Sequence, residues 1–304
     1  MHSEETTDGR GHHGVDRVAP ARRQLGRYLR DLRKGSRLTV LAAAAALEWS
    51  ETKMWRIETG RTAMRSLDVE AMCKIYGAPP DLTTALVGLA KESRAHGWWH
   101  SYGDVIPEYF DVYVGLEEAA SHLAGYQSEL MPGLLQTADY ARTLIRADEP
   151  ELDDAEIERR VSVRMARQVL LTRATAPPEL NMVLNEAVLC RPIGGARVMA
   201  RQLDRLAEIS ELPTLSVRVV PFGAGLHRGA LSGPFVILRF PLNGTGQETE
   251  PTTVYVEGFT GALYLDKPHE IERYTTAFTN SWESSLDENA SRELMSRVAK
   301  EQGK

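Results

Sequence analysis

"LTVLAAAAALEWSETKMWRIETG", residues 38–60, places five consecutive alanines ahead of a short segment carrying Glu, Lys and Arg. Such a run suits a low-complexity spacer, a membrane-seeking helix or half of a DNA-reading device. The spacing of the larger apolar residues separates them. Leu41, Leu47, Met54 and Ile57 form a stripe across the run, which a spacer has no use for, and the run is far shorter than the roughly 18 apolar residues of a membrane span. Thr39 is a suitable N-cap for one helix through Leu47, and Ser50 for another over about Glu51–Glu58, with a tight turn at "EWS" between them and "TGR" closing the pair.

Three further helical patterns flank this pair. Pro20 opens the first, in which Leu25, Tyr28, Leu29 and Leu32 share one face and arginines the other, and Gly35 ends it. Ser66 caps a fourth helix with Val69, Met72, Cys73 and Tyr76 inward, broken by "GAPPD". The fifth runs from Asp81 to about His96, with Leu82, Leu86 and Leu89 inward. Residues 20–96 are therefore expected to form an all-α, five-helix domain built on a helix-turn-helix.

Charge points to the partner. From Pro20 to Gly77 twelve Lys/Arg face six acids, although the whole chain carries a formal net charge of −6. Asymmetry of this size suggests a polyanion-binding module joined to something that is not one. The two cysteines, Cys73 and Cys190, stand far apart with no ligand-spaced companions, so no metal and no cofactor is expected, and both fit a reducing compartment. Residues 1–19, rich in Gly, His and charge, read as a disordered tail without a signal-peptide core; His12 and His13 in it have nothing to complete a ligand set. A cytoplasmic, nucleoid-associated location with no membrane partner is the expectation.

Leu38, Thr39, Ala44, Leu47, Ser50, Arg56, Ile57, Glu58 and Gly60 make the segment resemble the Xre/Cro-type helix-turn-helix of phage repressors and bacterial regulators, which implies a lambda-repressor-like fold. By this resemblance the helix after Ser50 is the recognition helix, and it crosses the preceding helix closely at Ala44. The DNA-facing set it implies is Thr39, Ser50, Glu51, Thr52, Lys53, Trp55, Arg56 and Arg61, with Met54 and Ile57 inward and Lys53 toward a flank. Glu51 would accept from cytosine, Thr52 and Trp55 touch a thymine methyl, and Lys53 or Arg56 meet phosphate or guanine. Arg33 and Glu58 occupy positions resembling a structural ion pair between the first and third helices. Three positions depart from the pattern. Val40 stands where a Gln usually holds a phosphate, Glu48 replaces the turn glycine, and Trp55 occupies a small-residue site, where it fills the groove or packs against a partner.

The acidic remainder begins with an aromatic-rich block, "GWWHSYGDVIPEYFDVYVGLEEAASHLAGYQSELMPGLLQTADYARTLI", read as a packed interface or pocket lip. Asp153–Thr172 reads as an amphipathic helix, "ELNMVLNEAVL" as a strand and "GARVMARQLDRLAEISEL" as a helix. The segments "LSVRVVPF", "GPFVILRF", "TTVYVEG" and "ALYLD" read as strands, and two closing helices run over about Pro268–Leu286 and Asn289–Ala299. The expectation is an α+β domain at 97–290 with a small mixed sheet, then a helix end and tail at 291–304. Stretches such as "YQSELMPGLLQTADYAR", "LNEAVLCRPIGG" and "VYVEGFTGALYLD" resemble the C-terminal domain of a large actinobacterial group of antitoxin-like helix-turn-helix regulators.

That resemblance implies a transcriptional regulator, often encoded beside a small acidic partner protein. The remaining expectations are double-stranded DNA with a palindromic operator as target and a homodimer as the acting form, because one recognition helix reads too few base pairs. Trp98, Trp99, Tyr102, Tyr109, Tyr126, Glu129 and His227 are the candidates for contact with a partner or ligand. Glu129, Glu186, His227, Asp266 and His269 offer acid/base chemistry, but as single occurrences without a catalytic motif, so no enzyme is expected. The competing reading is a protein-interaction module with weak or no DNA readout, which Val40 and Glu48 favour.

Overall fold

The computed structural model describes residues 18–60, 62, 64–92, 108–242, 246 and 248–303, of which 18–21, 92, 108, 109 and 111 by their backbone alone. The chain divides into two compact units, and helix α6 (Glu108–Ala119) clusters with the first of them. Residues 1–17 of the expected tail lie outside the described residues.

In the first unit α1 spans Val18–Gly35, α2 Val40–Ala46, α3 Glu51–Glu58, α4 Ser66–Tyr76 and α5 Pro80–Glu92. The helical spacing of apolar residues closes one core of Leu25, Leu29, Ala43, Ala44, Met54, Ile57, Val69, Met72, Cys73 and Leu86. Two residues assigned to the inner faces turn outward: Tyr28 is 45% and Leu41 63% exposed. Helix α2 is a single pair of turns, and Ala43 and Ala44 already fill its narrow contact with the core, leaving Leu41 on the far side. Helix α4 takes Arg65 as its N-cap, without a side-chain cap bond, and Ser66 is its first helical residue. It ends at Gly77 with φ 69°, where the amide of Ala78 donates to the carbonyl of Cys73 at 2.9 Å, the αL closure that glycine allows.

Helix α6 packs on α1, and its Val112, Val114 and Leu116 are buried. The first unit thus has six described helices, and the second begins at Ala120 rather than near residue 97.

The second unit is an α+β domain on a six-stranded mixed sheet of order β3-β2-β1-β4-β5-β6. Strands β1 (His122–Gln127), β2 (Glu179–Asn185) and β3 (Leu215–Val220) are parallel, while β4 (Phe235–Arg239), β5 (Thr253–Gly258) and β6 (Gly261–Leu265) continue the sheet antiparallel from β1. Parallel neighbours need helical crossovers. Helices α7 (Ala138–Asp148) and α8 (Asp154–Arg167) supply the first, α9 (Glu186–Cys190) and α10 (Ala196–Ile209) the second. After the short α11 (Arg228–Ser232), α12 (Pro268–Glu283) lays Tyr274, Ala277, Phe278 and Trp282 across the sheet face formed by Ala124, Tyr126, Val183, Phe235, Ile237 and Val254. Helix α13 (Glu288–Gln302) closes the chain.

The block read as a pocket lip contains the central strand, β1. Leu123, Ala124 and Tyr126 are all buried, so it lacks the alternation that marks a half-exposed strand. Gly125 is needed there, because a Cβ would come within 2.9 Å of the carbonyl oxygen of Phe235 on β4. "ELNMVLNEAVL" splits in two, since the Asn185 side chain accepts from the amide of Ala187 at 2.9 Å and caps α9. The 153–172 segment is α-helical to Arg167 and 3-10 over Gln168–Leu171. The outer edge of β3 is closed: the amide of Leu286 donates to the carbonyl of Val219 at 2.9 Å, and the amide of Val219 donates to Ser291 Oγ at 3.0 Å. Among the described residues no helix is long and apolar enough to cross a membrane.

Candidate nucleic-acid interface

Local chemistry sets the two helices of the motif. Thr39 caps α2, its Oγ1 accepting from the amide of Ala42 at 3.1 Å, and Ser50 caps α3, its Oγ accepting from the amide of Lys53 at 3.1 Å. Between them Glu48 sits at φ 56°, so the turn keeps the left-handed geometry that glycine adopts without strain. The amide of Trp49 then donates to the carbonyl of Ala44 at 2.8 Å. With Met54 and Ile57 buried, Glu51, Thr52, Trp55 and Arg56 are exposed along the outer side of α3, Trp55 to 48%.

The inner side of α3 is tied to α1 by charge. Arg33 Nε donates to Glu58 Oε1 at 2.6 Å and Nη2 to Oε2 at 2.8 Å, and Nη1 donates to the carbonyl of Leu38 at 2.8 Å. Both side chains are buried, and the hydrogen bonds that Arg33 donates to the Glu58 carboxylate raise the Arg33 pKa above its ordinary value. One guanidinium therefore fixes α1, the approach to α2 and the end of α3 in a single bidentate clamp. The clamp holds where the helices touch: a Cβ at Gly26 would lie 2.5 Å from the carbonyl oxygen of Ile57. Gly60, at φ 70°, leaves no room for a side chain against the Arg23 backbone.

The structure places Glu51, Thr52, Lys53, Trp55 and Arg56 on α3, with Thr39 and Ser50 just ahead of α2 and α3. Thr39 and Ser50 also serve as caps, while Lys53 folds back so that its Nζ lies 3.5 Å from the centroid of the Trp49 ring. Arg61, Trp98, Trp99 and Tyr102 lie outside the described residues, and Tyr109 is placed only as backbone within α6. Neither the Trp49–Lys53 stack nor the glycine at the α1–α3 crossing was read from the sequence. The four-residue spacing of Trp49 and Lys53 was the available signal for the first.

In the second unit Tyr126 and His227 meet edge to face, ring centroids 5.3 Å apart. His227 Nδ1 lies 3.3 Å from Ser281 Oγ, and Asn185 Nδ2 lies 3.5 Å from Tyr126 Oη. Burial pushes the His227 pKa down and the Tyr126 pKa up, so both favour their neutral forms. A Cβ at Gly229 would lie 2.5 Å from Ser281 Oγ, which leaves no space beside these rings. Glu129 is engaged in an exposed ion pair with Arg191, and Glu186 accepts from the amide of Phe222 at 2.7 Å.

Fold and interface together define a helix-turn-helix protein carrying an α+β domain, and residues 24–86 match the family described as a helix-turn-helix domain. The chain belongs to the family described as domain of unknown function (DUF5753), which it matches over residues 110–297. No curated protein and no solved structure matches it.

Proposed function

We propose that the protein is a sequence-specific DNA-binding transcriptional regulator of the Xre/Cro kind, antitoxin-like, in which the C-terminal domain answers a small partner protein or ligand. The observation that carries this reading is the outer side of α3. Glu51, Thr52, Trp55 and Arg56 stand exposed on a helix whose opposite side is clamped to α1 through Arg33 and Glu58. A rigidly backed helix with exposed donors and acceptors suits major-groove readout, and the excess of basic residues in this part of the chain supplies phosphate attraction. Use as a homodimer on paired half-sites, close to the nucleoid, follows from the small number of base pairs one such helix reads.

The α+β domain is proposed as a regulatory rather than catalytic unit. His227, its most evident acid/base candidate, is only 5% exposed and is packed by Tyr126, Ser281 and Gly229. A small acidic partner protein and an antitoxin-like setting come from the resemblance of its sequence alone.

The test is binding to the duplex upstream of the protein's own coding region. Wild type is expected to bind with an affinity that falls steeply with salt, and Thr52→Ala combined with Arg56→Ala to weaken it by about 100-fold, two base contacts' worth. Unchanged binding by that variant would remove α3 as the reader. Exposed Trp55 favours a second reading, a protein-interaction module with little DNA readout, for which the salt dependence would be shallow.

A further inference from the structure

We propose that Trp49 is a positioning residue for DNA binding: its indole holds the Lys53 ammonium beside the recognition helix, where Lys53 contacts a backbone phosphate and reads no base. The inference rests on the DNA-binding reading above and deepens it by dividing the cations of α3 between two tasks.

Trp49 is the last residue of the turn before the Ser50 cap. Its ring is partly buried against the core of the first unit, and its backbone amide is bonded to the carbonyl of Ala44 at 2.8 Å, so the residue is held by both side chain and backbone. Lys53 lies one helical turn further on, and its backbone is held by Ser50 Oγ at 3.1 Å. Its side chain runs back toward the helix start, the direction helical side chains favour, and sets Nζ over the ring at 3.5 Å.

Two consequences follow from this geometry. Lys53 is partly buried, whereas Glu51, Thr52, Trp55 and Arg56 are exposed, so the ammonium sits to the side of the face that would meet base edges. An ammonium is also a compact point charge, suited to phosphate, while the planar fork of Arg56 suits a guanine edge. The ring covers one side of the ammonium and leaves its remaining N–H groups for an anion. The side chain is thus already ordered before DNA arrives, and binding need not order it again.

The experiment uses the full chain with two duplexes of equal length, one enriched from a random-sequence pool by the wild-type protein and one unrelated. Lys53→Ala is expected to weaken both by the same factor, about five- to tenfold at physiological salt, and to reduce the salt slope by about one. Trp49→Leu is expected to weaken both by about two- to fivefold, Trp49→Phe, which keeps a ring, by less, and Trp49→Leu with Lys53→Ala no more than Lys53→Ala alone.

Loss confined to the enriched duplex in Lys53→Ala would make Lys53 a base reader and overturn the proposal. A Trp49→Leu loss that persists in the Lys53→Ala background, or an equal loss in Trp49→Phe, would show Trp49 acting through the fold and overturn it as well. Trp49→Phe and Lys53→Ala decide the matter if Trp49→Leu melts early. If wild type binds neither duplex, the DNA-binding reading itself fails; if it binds both and Lys53→Ala leaves affinity and slope unchanged, only this inference does.

Discussion

Glu58 lies 6% exposed at the end of α3, with both carboxylate oxygens taken by one guanidinium. Burying such a pair costs desolvation, but removing one partner costs more, because the other charge is left inside. Glu58→Ala is therefore expected to lose about 3–5 kcal/mol in urea unfolding, and Arg33→Met with Glu58→Leu to regain most of it. A loss below about 1 kcal/mol would show that the clamp does not hold the first unit together. The residue types at 33 and 58 were legible through a family resemblance. The third bond of Arg33, to the carbonyl of Leu38, and the need for glycine at 26 were not, since both arise from the approach of two backbones distant in sequence.

Among the elements, the turn between α2 and α3 carries a local cost. Glu48 takes a positive φ of 56°, and a side chain in that region is strained by about 1 kcal/mol relative to glycine. Glu48→Gly is expected to raise stability by about 0.5–1 kcal/mol, read from the midpoint of denaturant unfolding, without moving α3; a lower midpoint would mean that the Glu48 side chain earns its place through contacts. The caps at Thr39 and Ser50 and the stripe through Met54 and Ile57 are short-range features, and so the helix-turn-helix was readable residue by residue. Strand β1 was not. Successive positions along it, which face opposite sides of the sheet, are buried, so "HLAGYQ" shows no alternation, it is no purely aliphatic run either, and its aromatic surroundings suggested a surface.

For the whole molecule, the informative element is α6. From residue 110 on it falls in the stretch matched to the DUF5753 family, yet it packs on α1 and clusters with the helix-turn-helix unit. Leu116 is fully buried and Val112 1% exposed, and burial of side chains of this size is worth about 1.5–3 kcal/mol each. A fragment of residues 1–92 is accordingly expected to be less stable than one of residues 1–119 by at least about 3 kcal/mol, measured by urea unfolding of each. Equal stabilities would make α6 dispensable to the first unit. The sequence by itself determined the helix-turn-helix, the charge contrast between the basic module and the rest, and most of the α+β order, because caps, periodicity and charge are properties of neighbouring residues. Only the tertiary structure decided that α6 sides with the helices before it, that β1 lies at the centre of the sheet, and that Lys53 is held by Trp49. Each of these depends on which surfaces bury one another, and that choice is made when the chain packs.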